Sequence, residues 1–161
     1  MYPKGVIAVR RFAVSGLVAV AFLALIAAPA AARATSQTFH FHNETDSFPT
    51  DNPCSGVPGT VTVTFNGVVH MTTLDSGAVH GTETMTGTFS FVPDDPSQPS
   101  YTGRFTSWDG FNANSQNFTA TATFRVRGTG SDGSTLTFHD NAHFSVSATG
   151  VTISFDRPRC G

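Results

Sequence analysis

Alternation of apolar and polar positions dominates the chain from residue 36 onward. Phe39 and Phe41 alternate with Thr38, His40 and His42, and Val61, Val63 and Phe65 alternate with Thr60, Thr62 and Thr64. Phe118, Ala120, Ala122, Phe124 and Val126 oppose Thr119, Thr121, Thr123, Arg125 and Arg127 in the same way. A two-residue period sends successive side chains to opposite faces of a strand, so each segment has one core face and one threonine-rich wet face. No segment sustains the period of about 3.6 residues that marks an amphipathic helix.

Turn-forming residues separate these runs at Asn66-Gly67, Asp75-Ser76-Gly77, Pro93 to Pro99, Asp109 to Gln116, Gly128 to Gly133 and Thr149-Gly150. The pattern predicts strands at 36–42, 59–66, 68–74, 78–92, 100–107, 117–127, 134–147 and 151–156. Abundant Thr, Phe, Val, Gly and Ser suit strands and turns. The fold class is therefore all-β, and a single antiparallel β-barrel of about eight strands is preferred because closure removes exposed edges. A two-sheet β-sandwich gives the same alternation.

Residues 1–34 break the pattern. A basic start (Lys4, Arg10, Arg11), an apolar stretch from Phe12 to Ala28 and the small-residue ending Ala32-Arg33-Ala34 form a signal peptide, with cleavage expected after Ala34. The alanine-rich stretch is interrupted by Ser15 and Gly16, which argues against a transmembrane anchor, so no integral membrane protein is expected after cleavage. Arg10-Arg11 before Phe12-Ala13-Val14 is a weak twin-arginine match, and the general secretory route is preferred. What remains is a single domain, residues 35–161, bound for the extracellular space.

Removing that segment changes the charge. The full chain has a formal net charge of −2, but residues 35–161 hold five arginines against eleven acids, a balance of −6, with no lysine. Lysine Schiff-base chemistry and a Walker-type phosphate lysine are excluded, and an acidic surface argues against nucleic acid as a partner. Export also exposes Cys54 and Cys160 to oxidising conditions, where two cysteines in a small domain form a disulfide. Such a bridge closes a loop of 106 residues. In an up-and-down meander of the predicted strands, however, the two cysteines fall at opposite ends. Either the flanking segments run along the wall to meet, or one strand is miscounted; the long strands 78–92 and 134–147 are suspects, with Gly81 or Gly87 able to bend the first.

Most motifs that look chemical dissolve on inspection. Gly128-Thr129-Gly130-Ser131-Asp132-Gly133 matches G-x-G-x-x-G, but a strand follows it where a dinucleotide site needs a helix. His40 and His42 share a face roughly 7 Å apart, yet on the side assigned to solvent, and no ligand set has metal-site spacing. Asp109 to Asn114 is oxygen-rich without the spacing of an EF-hand calcium loop, and a Gly/Asn-rich turn accounts for it. Asn43-Glu44-Thr45 and Asn117-Phe118-Thr119 are formal glycosylation sequons. No cofactor is expected.

Polar residues on the apolar phase are more informative. Asp140 falls among Leu136, Phe138, Ala142, Phe144 and Val146, and a turn at Asp140-Asn141 would split those residues between faces, so a continuous strand with Asp140 inward is preferred. Glu83 shares phase with Val79, Met85, Phe89 and Phe91, and His70 with Val68 and Leu74. Inward acids need partners or a wet cavity, unless a β-bulge turns them outward. His70, Glu83, Tyr101 and Asp140 are thus the candidate ligand-binding residues at a barrel mouth, with Trp108 able to line the same end.

Tyr101-Thr102-Gly103-Arg104-Phe105-Thr106-Ser107 resembles the T-G-R-[YF] strand of avidin-type barrels, but one tryptophan cannot supply that family's biotin cage. The signal peptide, Asn52-Pro53-Cys54, the stretch Gly128 to His143 and the ending from Ser154 to Cys160 resemble small secreted proteins of high-GC Gram-positive bacteria, a group that implies export and brings no assigned function or catalytic residues. The expected function is non-catalytic binding of a small apolar or amphipathic ligand, or of a surface partner. The alternatives are a barrel-lumen enzyme of cyclase or isomerase type using His70, Glu83 and Asp140, and a structural protein of the cell envelope.

Overall fold

Alternating residues become eight antiparallel strands, with no helix, in the computed structural model, which describes residues 34–161. They are β1 (Thr35–Asp51), β2 (Pro58–Thr73), β3 (Val79–Pro93), β4 (Tyr101–Ala113), β5 (Asn117–Gly130), β6 (Thr135–Ser147), β7 (Gly150–Asp156) and β8 (Arg159–Cys160). All belong to one sheet; β1 to β7 are neighbours in chain order, and β8 pairs with β6. The hydrogen-bonded path is open between β1 and β7. The signal peptide expected at 1–34 lies outside the described residues, except for Ala34.

The miscounted strand is neither of the long ones. Asn66-Gly67 is not a turn, and β2 runs straight through it. Gly67 faces inward, where a side chain would press on Met85. Asn66 faces outward, and its Oδ1 accepts the backbone N–H of Asn43 at 3.1 Å. Asn43 sits at φ 53° in the bulge between Phe41 and Glu44, a left-handed conformation that Asn tolerates better than most residues. The extra residue restores phase, so Phe48 faces Val61 on the same side as Phe39 facing Val69. With β2 unbroken, the β1–β2 turn and β8 fall at the same end of the meander.

At that end a bridge joins Cys54 to Cys160, with Cα atoms 5.7 Å apart. Asn52, 3% exposed, shapes the turn: its Oδ1 accepts the N–H groups of Cys54 and Ser55 at 2.9 and 3.1 Å. Cys54 Sγ lies 3.6 Å from the carbonyl oxygen of Thr137 on β6. A flat sheet would separate β2 from β6 by four strand spacings, about 19 Å, so the sheet is rolled. Glycines on the inner face permit the curvature. Phe41, Phe65, Phe89 and Tyr101 sit opposite Gly67, Gly87, Gly103 and Gly130, and Phe111 opposite Gly81. A Cβ on Gly81 would collide with the Phe111 ring, and one on Gly103 with the carbonyl oxygen of Arg127.

β7 and β8 are one edge strand in effect, because Ala142↔Asp156 and His139↔Arg159 keep one register. Arg157 and Gly161 donate to Asn141 and Thr137 at 3.0 and 3.2 Å, so Pro158 falls between donors, where no N–H is required.

Candidate functional site on the inner face

Inward rows can be followed across the ladders. Phe65, Gly87, Phe105, Val126 and Phe138 form one row at the disulfide end. Gly67, Met85, Ser107, Phe124 and Asp140 form the next, then Val69, Glu83, Asp109, Ala122 and Ala142, then Met71, Gly81, Phe111, Ala120 and Phe144. These rows divide the inner face. Phe89, Phe91, Phe105, Val126, Leu136 and Phe138 form a buried cluster toward the disulfide, each ring or branched chain worth roughly 1.5–3 kcal/mol in transfer from water. From the acid row onward Ala122, Ala142, Ala120 and Ala113 alternate with the rings of Phe111, Phe144 and Phe118, and not every ring is covered: Phe118 is 37% exposed and Phe124, one row nearer the core, 36%. Phe118 packs against Phe111 and Phe144 with ring centroids 6.4 and 6.5 Å apart.

Carboxylates mark the boundary between the two halves. Glu83 on β3 lies directly opposite Asp109 on β4, both half-buried. Burial raises the Glu83 pKa above the ordinary carboxylate range, and the charge of Asp109 raises it further. Burial also raises Asp109, offset in part by the Ser107 hydroxyl, which donates to Asp109 Oδ2 at 2.7 Å. Asp140 is half-buried on β6 opposite Phe124, three strands from Glu83 and one row toward the core. Chemically, the arrangement can supply proton donors or negative charge beside the exposed phenylalanine rings.

Two expected members are elsewhere. His70 is on the outer face, exposed, its Nδ1 2.9 Å from the Thr38 hydroxyl. The phase of Val61, Val63 and Phe65 continues through Gly67 and Val69, which is buried, so even-numbered residues of β2 point out; Val68 is 40% exposed. Tyr101 is inward but packs on the core cluster and pairs with Phe91, eight residues and about 27 Å along β3 from Glu83. Its hydroxyl accepts from Ser134 Oγ at 3.0 Å. Trp108 faces outward, 44% exposed. The set His70, Glu83 and Asp140 is therefore not assembled.

Asp109, by contrast, is the residue the turn assignment hid. The turn is Asn114–Gln116 and β4 extends to Ala113, so the Gly/Asn-rich segment is strand. Tyr101, Phe105 and Phe111 share odd phase with Asp109, and that alternation was the available signal. Among the described residues no group of three or more His, Cys, Asp or Glu is placed to hold a metal ion. His40 and His42 stack with centroids 6.3 Å apart, exposed on β1. Comparison with family profiles, curated proteins and solved structures gives no match to this chain.

Proposed function

We propose that residues 35–161 form a secreted β-barrel, with its seam between β1 and β7, that binds a small amphipathic ligand non-catalytically in the alanine-lined half of its inner face. The division of that face carries the reading. One half is filled by aromatic side chains, while the other exposes phenylalanine rings beside a half-buried acid pair, a combination of apolar wall and few polar groups that suits a small-molecule site. The ligand's apolar portion lies along Phe111, Phe118 and Phe144, and a hydroxyl or amine head meets Glu83 and Asp109, with Asp140 nearby. In support of secretion, β1 begins at Thr35, directly after Ala32-Arg33-Ala34, and the disulfide is compatible with an oxidising compartment.

Isothermal titration with decylamine, decanol and decanoate tests this. Decylamine and decanol bind, and decanoate binds least because it brings a third carboxylate to the pair. Glu83→Gln weakens decylamine about tenfold, equivalent to about 1.4 kcal/mol, and Ala122→Trp abolishes binding by filling the space. Unchanged affinity in a folded Ala122→Trp variant would show that the ligand does not enter the inner face.

A further inference from the structure

Charge is sorted by face. The strand registers turn all five arginines of residues 34–161 outward: Arg104 lies opposite Arg127, Arg125 and Arg159 both flank His139, and Arg157 pairs with Asn141. All five are exposed. The acids avoid this surface. Glu83, Asp109, Asp140 and Asp156 take the inward phase, and the other seven lie on β1 or in turns. Like charges directly opposite on a ladder, with Cβ atoms about 5 Å apart, repel. Residues 35–161, with eleven acids against five arginines, have carboxylates to spare for Arg104 and Arg127, yet β4, β5, β6 and β8 present none on this face.

A shallow, open groove of about 530 Å³ lies on this surface over the backbone of the paired Gly103 and Gly128, bordered by Arg104, Arg127, Thr102, Thr129, Thr135 and Thr137. Guanidinium forks bind sulfate, phosphate or carboxylate groups bidentately, and threonine hydroxyls hydrogen-bond to sugar hydroxyls.

We propose that this outer groove binds a linear acidic polysaccharide, a site separate from the inner face and independent of what that face holds. The surroundings favour a narrow polymer over a membrane. Asp94, Asp95 and Asp132 lie in the turns at the same end, and serine hydrogen bonds keep Asp95 and Asp132 ionised, so an anionic bilayer plane would be repelled while a chain confined to the groove is not. They favour sugar over nucleic acid as well, because no aromatic side chain lines the groove on which a base would stack.

Heparin serves as the probe. The protein is retained on immobilised heparin at 50 mM NaCl despite its acidic balance, and elutes as salt rises, as expected for about two charge contacts. Arg104→Gln/Arg127→Gln lowers heparin affinity at least about tenfold, whereas Arg104→Lys/Arg127→Lys, which keeps the charge but not the fork, loses less. Both variants unfold thermally at or above the wild-type midpoint, since repulsion is relieved or unchanged. No retention of the wild type, undiminished affinity in the folded glutamine variant, or tighter binding to phosphatidylglycerol vesicles or a single-stranded oligonucleotide than to heparin would each overturn the proposal.

Discussion

Glu83 and Asp109 face each other on the inside of a rolled sheet, and burial raises the pKa of both. A carboxyl whose pKa is higher folded than unfolded binds its proton more tightly in the folded state. It therefore adds nothing unfavourable below the ordinary carboxylate range, and it costs stability as pH climbs toward the raised folded value. Glu83→Gln is expected to raise the thermal midpoint at pH 7 while leaving it unchanged near pH 3, and a midpoint at pH 7 equal to wild type would show that the pair is solvated. Asp95 and Asp132 act in the opposite direction: serine hydrogen bonds lower their pKa values, so their contribution is lost as pH falls through the lowered folded values. Glycine positions give a second residue-scale contrast. Gly103→Ala forces a methyl group into the Arg127 carbonyl and should cost about 1–3 kcal/mol in urea titrations. Gly110→Ala meets only the far edge of the exposed Trp108 ring, 3.1 Å away, and is expected to be neutral or stabilising by about 0.5 kcal/mol.

At the scale of elements, the bulge in β1 is the decisive irregularity. It turns seventeen residues into one strand with Phe39, Phe41 and Phe48 on a single face, at the expense of a left-handed Asn43. Asn66→Ala removes the acceptor that holds this bulge and should cost about 0.5–1.5 kcal/mol, with faster backbone hydrogen exchange confined to β1; a uniform change across the sheet would mean that the bulge does not depend on Asn66. This pairing also explains why the order of strands was only partly legible beforehand. The alternation in β5 and β6 is continuous over 117–127 and 134–147, and those strands were recoverable, with Asp140 inward. In β2 a strong turn dipeptide interrupted an equally clear alternation, and local turn chemistry was outweighed by pairing with β1 and β3 on both sides. In β4 a Gly/Asn-rich composition masked strand residues through Ala113, and with them Asp109.

For the whole molecule, the 106-residue disulfide loop is the main constraint that local contacts do not supply. On the chain-entropy view a loop of this length is worth about 4.7 kcal/mol, a large share of the roughly 5–15 kcal/mol that stabilises a domain. Reduction, or a Cys54→Ala/Cys160→Ala variant, should shift the urea midpoint markedly downward, and two free thiols in the native, unreduced protein would show that the bridge does not form. The bridge joins the β1–β2 turn to β8 and ties the two margins of the sheet at one end, beside the aromatic core. The opposite end, with its alanines and exposed phenylalanines, has no such tie.

The period of two along the chain was enough by itself to determine an all-β, antiparallel fold and to put Glu83 and Asp140 on the apolar phase, and counting alone pairs the two cysteines, because these need only local geometry or simple counting. Tertiary structure alone decided that Asn66-Gly67 is strand, that His70 points outward, that Asp109 faces Glu83, and that five arginines gather on one surface. Those facts depend on register between strands far apart in sequence, and a one-residue change of phase, invisible to composition, moves every side chain to the other face.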